Sequence, residues 1–314
     1  MKAFFTCISI AIWVSWLNQG FSQCGTPFKV LHYTETSGYD HRTRNESLSM
    51  FQNLGTSNNF SVVNDNTGAT FNSLTDLQAY QVIIFSNTSG NTILTAAQRA
   101  NFEAYMESGG GFVGLHAASD TYRHSSADGT PKGGWDWFAE MLGASVQYTP
   151  TPHTANNHLG EMDHVLPCHA TKHLPDPWSK REEYYYWQRG FYDFGKNNVL
   201  LQVRRTGGQT YDADRPISWF KHLPGGGRAF YTALGHNKSD YTTPGNEFSK
   251  HVLAGLLWTA DPTPIEVSEF NGVDVPGVWV RQPGKLYSAG NNTFPYTVSN
   301  DKLYMANYRG GANN

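Results

Sequence analysis

Short apolar runs separated by amphipathic stretches constrain the fold of this chain more than any other feature. Phe28–Tyr33 (FKVLHY), Val82–Ser86 (VIIFS) and Phe112–His116 (FVGLH) read as buried strands, with Phe60–Asn64 as another. The stretches between them carry helix signals. Thr43-Arg-Asn-Glu46 has the pattern of a capping box, followed by Leu48, Phe51 and Leu54 at helical spacing. Ser73–Tyr80 reads as a short helix. Thr95-Ala-Ala-Gln98 is a second capping box, opening a helix with Phe102, Tyr105 and Met106 on one side. Gly109-Gly110-Gly111 closes that helix, because glycine accepts the left-handed cap. Strands alternating with helices imply βαβ units, hence an α/β protein with a mostly parallel sheet flanked by helices.

The second half is less regular. Trp135–Leu142 reads as a helix, Glu182–Trp187, Val199–Arg204, Ile217–Phe220 and Arg228–Leu234 as strands, and Phe248–Trp258 as a closing helix. Asp261-Pro-Thr-Pro264 reads as a linker, so 262–314 is expected to be a linker with a short β-rich extension. At the other end, Lys2 precedes an apolar stretch from Ala3 to Trp16 and a polar break over 18–23. This is the pattern of a signal peptide over 1–23, cleaved near Gln23/Cys24, with an uncleaved anchor as the alternative. The main domain would then span 24–261, in the periplasm, at the cell envelope or outside the cell, with no later segment apolar enough to cross a bilayer. Cys24 and Cys168 would form an even pair in an oxidising compartment, and a disulfide between them is expected. The net charge of -3 with no basic run argues against a nucleic-acid partner.

In open α/β sheets ligands bind beyond the carboxyl ends of the strands, so the residues after each strand are the site candidates. His41 follows the first, Asn87 the third, His116, Ser119, Asp120 and Tyr122 the fourth, and His236 the last. Gly111-Phe-Val-Gly-Leu-His116 has the shape of a nucleophile elbow, with histidine where serine or cysteine would stand, which excludes thiol catalysis there. Histidines and carboxylates support two chemistries. His41, His116, His153 and His236 are candidate ligands of a divalent metal such as Zn²⁺. His116, Glu183 and Asp120 are candidate general acids and bases, with Tyr184, Tyr185 and Trp187 desolvating Glu183. The alternative for Glu183 is a pairing with Arg181 or Arg204. Arg215 and Arg204-Arg205 read as salt-bridge formers. A substrate rim is expected from His41, Asn87, Tyr122, Trp135 and Tyr185, because sugar rings pack their C–H faces on aromatic rings.

Several motifs occur in one order. GGGFVGLHAASD resembles the signature of the ThuA-like (trehalose-utilisation) family. Tyr39-Asp40-His41, Met162-Asp163-His164, Glu182-Glu183-Tyr184-Tyr185, Pro216-Ile-Ser-Trp-Phe220 and Arg228-Ala-Phe-Tyr-Thr-Ala-Leu-Gly-His236 resemble its further elements, although Val165 stands where proline is usual. The resemblance covers about 28–261. It implies a flavodoxin-like fold similar to class I glutamine amidotransferases without their cysteine, and a role in using trehalose or related glycosides. The expected activity is that of a hydrolase or lyase on a glycoside or keto-glycoside. A non-catalytic carbohydrate-binding or sensing module is the alternative. A glutamine amidotransferase is excluded by the missing cysteine.

Overall fold

The computed structural model describes residues 27–127, 134–188 and 197–260, with short strands at 279–282, 285–288, 296–299 and 302–305. The signal-peptide segment, Cys24 with its expected disulfide, and the linker after 261 lie outside the described residues. No described helix is long and apolar enough to cross a membrane.

The chain runs β1 (Phe28–Tyr33), α1 (Arg44–Asn58), β2 (Phe60–Asp65), α2 (Leu74–Leu77), β3 (Val82–Ser86), α3 (Ala96–Glu107), β4 (Gly111–Leu115), α4 (Asp136–Leu142), β5 (His158–His164), β6 (Trp178–Glu182), β7 (Asn198–Val203), β8 (Arg215–His222), β9 (Arg228–Thr232), α5 (Lys238–Thr242) and α6 (Glu247–Ala260). The first nine strands form a single sheet in the order β2-β1-β3-β4-β9-β8-β7-β5-β6. From β2 to β9 every pairing is parallel. From β9 to β6 every pairing is antiparallel. The expectation of a mostly parallel sheet therefore holds for one half only. The physical reason lies in the connections. β8 returns to β9 through Leu223–Gly227, closed by a hydrogen bond from Leu223 N–H to the Gly227 carbonyl at 2.8 Å, and so short a link can join only antiparallel neighbours. In the first half helices supply the long crossovers that parallel pairing requires.

β3, β4 and β9 are buried along their whole length, which explains why their sequences lack alternation. Register places His32, Ile84, Val113 and Phe230 in one row, on a single face of the sheet. α1 covers that face through Phe51 against His32, and α6 covers it through His251 against Phe230. The opposite face presents Phe85, packed on Phe102 of α3 and Phe138 of α4. Gly111 is required where it stands: a Cβ there would meet the Gln81 and Thr259 carbonyl oxygens at 2.7 Å.

The Thr95/Gln98 capping box forms as expected. The Thr43 box does not. Thr43 makes no side-chain cap bond, because its hydroxyl accepts a hydrogen bond from Asn87 Nδ2 at 2.8 Å, and Glu46 pairs with Lys238 instead. The strand expected over Glu182–Trp187 ends at Glu182; beyond it the chain leaves the sheet and touches 146–153 through isolated bridges. β5 has only Leu159 and Met162 as large apolar residues and gave no strand signal. Two antiparallel pairs, Trp279–Gln282 with Lys285–Ser288 and Tyr296–Ser299 with Lys302–Met305, lie in the expected extension.

Candidate metal centre

Strand direction decides which residues can meet. β1, β4 and β9 are parallel, so His41, His116 and His236 all emerge at one edge of the sheet. The four antiparallel pairings that follow return β6 to the same direction, and Glu183, immediately after it, emerges at that edge too. β5 runs the other way. Its end at His164 therefore lies at the opposite edge, where His164 Nδ1 stands 3.8 Å from Asp176.

His116 occupies the elbow expected for it. Its φ is +44°, a left-handed conformation that costs a β-carbon-bearing residue about 1–2 kcal/mol and is tolerated where the surroundings over-determine it. They do so here. His116 Nδ1 lies 2.6 Å from the Ala233 carbonyl, Tyr185 stacks on the ring with centroids 4.6 Å apart, and Tyr231 Oη donates to the His116 carbonyl at 2.8 Å. A carbonyl can only accept, so Nδ1 carries a hydrogen towards it and Nε2 is the ring atom aimed into the site. Tyr185 Oη lies 3.1 Å from His116 Nε2, and burial raises its phenol well above its usual value, which keeps it protonated.

Glu183 is the centre of the cluster. Its Oε2 lies 3.3 Å from His116 Nε2, 3.5 Å from His236 Nδ1 and 3.8 Å from His41 Nε2. His116 Nε2 and His236 Nδ1 are 3.3 Å apart. Burial alone would raise the Glu183 carboxyl, but the histidines around it override that and hold it well below the usual carboxylate range. His41 behaves oppositely: burial lowers it to about 4, only partly offset by Glu183, so it is neutral at physiological pH. Burial also pushes His236 down, but its proximity to Glu183 outweighs this and raises it.

These residues fit a divalent cation. The ligand atoms of His41, His116, Glu183 and His236 all lie within 4.8 Å of one another. Ligands at 2.0–2.2 Å from a tetrahedral ion stand about 3.3–3.6 Å apart, which the His116, His236 and Glu183 separations match. Among the described residues, both ring nitrogens of His41 are buried with no hydrogen-bond partner, an expense a polar group rarely bears without a ligand. The Nδ1–H of His116 on a backbone carbonyl is the orientation metal-binding histidines adopt.

Other candidates fall elsewhere. His153 is not one of the four: its Nδ1 lies 3.2 Å from Glu183 Oε1 and 2.7 Å from the Thr154 carbonyl, so it orients the carboxylate from the opposite side. Asp120 pairs with Arg123, and burial raises its carboxyl in spite of that partner. Tyr122 and Trp135 belong to the core, correcting their assignment to a substrate rim. Tyr122 Oη bonds the backbone of Leu94, Trp135 Nε1 donates to Glu103, and the two rings pack against each other and Phe138. Aromatic residues after an elbow are equally what a core needs, and sequence cannot separate the two uses. Asn87 is also withdrawn from the rim, since its amide is committed to Thr43, Gly235, Tyr241 and Ala117. Glu183 pairs with neither Arg181 nor Arg204. Arg204 binds Asp163 and Glu161, and Arg215 binds Asp212 and the Tyr185 carbonyl. The sequence reading missed Glu182, Lys180 and Asp240, a buried charged trio behind the site. The tandem Glu182-Glu183 was the available signal: a strand end sends consecutive side chains to opposite sides, so one of the two must turn inward.

The class of protein is an α/β sheet in which four strands of one direction, β1, β4, β9 and β6, deliver three histidines and a glutamate to one edge. The profile of the ThuA family, described as trehalose utilisation, matches residues 29–259, and the chain belongs to that family. No curated protein matches it. Among solved structures it is similar to a ThuA-like protein of Bacteroides uniformis, at 24% identity and a TM-score of 0.56, covering 77% of this chain and 95% of that one. A ThuA-like protein of Parabacteroides merdae is similar at 18% identity and a TM-score of 0.55, covering 77% and 94%. At these identities the likeness speaks for the fold.

Proposed function

We propose that His41, His116, Glu183 and His236 hold a divalent cation such as Zn²⁺, in a hydrolase or lyase acting on a glycoside or keto-glycoside. The observation that carries the reading is the convergence of four ligand atoms, among them those of His41 and Glu183, with His41 having no hydrogen-bond partner among the described residues. The carbohydrate class comes from membership of the trehalose-utilisation family. The signal-peptide pattern of 1–23 supports action in the periplasm, at the cell envelope or outside the cell. A cation bound here would supply Lewis acidity, polarising a substrate carbonyl or hydroxyl oxygen.

The chain's own groups then have distinct tasks. His116 and Tyr185 set the floor of the site by stacking and by the Nε2–Oη contact. Glu183, held ionised, would present negative charge to a bound cation on one oxygen, while its other oxygen lies 3.2 Å from His153 Nδ1. His153 is partly exposed, with Nδ1 engaged, so its Nε2 is the group at the mouth able to exchange a proton with a bound substrate. Tyr39 packs its ring T-shaped on that of His41 and is 64% exposed as a residue, which would offer an aromatic surface to a pyranose ring beside a bound cation.

The deciding experiment measures bound metal in the purified full chain, and turnover of glycosides and keto-glycosides, for wild type and His116→Ala. Near-stoichiometric metal and turnover, both lost in the variant, is the expected result. Glycan binding without turnover would instead support the non-catalytic module, and metal-free, folded wild type would remove the cation from the mechanism.

A further inference from the structure

The four groups of the proposed cation site stand on four separate segments, and two buried polar side chains join those segments. Glu182 is fully enclosed. Its Oε1 accepts the backbone N–H groups of Glu183 and His236, each at 3.1 Å. Its Oε2 accepts the Gly235 N–H at 2.9 Å and Lys180 Nζ at 2.8 Å. Lys180 reaches on to Asp240 at 2.9 Å. One carboxylate thus fixes the backbones of two site residues that lie fifty-three positions apart, Glu183 and His236.

Asn87 performs the corresponding task for the remaining segments. Its Nδ2 donates to Thr43 Oγ1 at 2.8 Å, to the Gly235 carbonyl at 3.1 Å and to Tyr241 Oη at 3.0 Å. Its Oδ1 accepts the Ala117 N–H at 3.3 Å. Thr43 lies just beyond His41, Ala117 follows His116 and Gly235 precedes His236. The loops after β1, β4 and β9 therefore meet on a single amide.

We propose that Glu182 and Asn87 are positioning residues that preset the cage of His41, His116, Glu183 and His236 for a cation; the inference rests on the function proposed above. A fold-only role would be met as well by apolar side chains, because burying an ionised carboxylate is costly even when it is fully bonded. What apolar side chains cannot do is fix the backbones on either side of the ligands to within the few tenths of an ångström that a metal cage demands.

The test titrates Co²⁺ into the metal-free full chain and reads its visible ligand-field bands, with Glu182→Gln, Asn87→Asp and, as ligand control, His236→Ala. Glu182→Gln sets an amide donor against N–H donors. Asn87→Asp sets a carboxylate oxygen against the Gly235 carbonyl. Both variants are expected to keep the wild-type far-ultraviolet circular dichroism, to bind Co²⁺ about ten- to hundred-fold more weakly, and to show altered bands. Wild-type affinity and bands in both variants, with only thermal stability reduced, would overturn the proposal. Loss in one variant alone overturns it for the other residue. If Glu182→Gln does not fold, Glu182→Asp, which keeps the charge and shortens the reach, is expected to shift the bands; unchanged bands, or failure to fold, overturn the role of Glu182. Wild type that binds no Co²⁺, like His236→Ala, overturns the cation reading itself, a result distinct from all of these.

Discussion

Glu183 Oε2 lies 3.3 Å from His116 Nε2, while the other oxygen of the same carboxylate lies 3.2 Å from His153 Nδ1. The carboxylate thus separates two kinds of histidine. Those on the Oε2 side are the proposed cation ligands, and His153 on the Oε1 side stands outside that set. Truncation should tell them apart. His41→Ala, His116→Ala and His236→Ala are expected to purify without metal. His153→Ala is expected to retain near-stoichiometric metal while losing most turnover. Equal metal loss in all four variants, measured by elemental analysis, would return His153 to the ligand set.

The raised pKa of His236 gives cation binding a definite pH dependence. Its ring carries a proton up to a pKa above 6.5, and a cation must displace that proton. Affinity should therefore rise with pH, by up to about one decade per unit, until that pKa is passed. His41, lowered to about 4, is already neutral across this range and adds no slope. Chelator competition for Zn²⁺ across the neutral range measures this directly, and a flat profile would contradict it.

Two fully buried histidines outside the proposed ligand set should, with His41, lower stability in acid. His32 bonds Asn64 and Ser47, His251 bonds Ala170 and Ser218, and burial lowers each pKa from 6.5 to about 4. Between these values the unfolded chain binds protons that the folded chain refuses, so stability rises with pH over that window and is level above it. Each contributes on the order of 3 kcal/mol at the upper end. Urea midpoints should fall as the pH is taken from about 6.5 toward 4, and His251→Gln should reduce the slope by about one proton.

Tyr122 should matter for stability and not for binding. Tyr122→Phe removes a hydroxyl that bonds both the N–H and the carbonyl of Leu94 at 2.8 Å. The expected cost is about 1–2 kcal/mol, with metal affinity and any turnover of the folded protein unchanged. A selective change in KM for a glycoside would place the ring back at the substrate.

Local sequence determined the elements that depend only on neighbouring residues. The apolar runs FKVLHY, VIIFS and FVGLH became β1, β3 and β4, the Thr95/Gln98 box capped α3, and the turn after β4 put His116 at its strained elbow, because each rests on steric and hydrogen-bonding rules acting over a few positions. The likeness of its motifs to one family was also legible, and the profile over 29–259 bears it out. Tertiary structure decided the rest. Thr43 reads as a cap until Asn87, distant in sequence, takes its hydroxyl. Tyr122 and Trp135 read as a sugar platform until the core around Phe138 encloses them. Glu183 and Glu182 are indistinguishable as a dipeptide. Only the return of β6 to the direction of β1, β4 and β9 brings Glu183 to the edge where the three histidines stand and leaves Glu182 behind it, bonded to the backbones of Glu183, Gly235 and His236. Strand direction is set by pairing across the whole sheet, and no local pattern in the sequence encodes it.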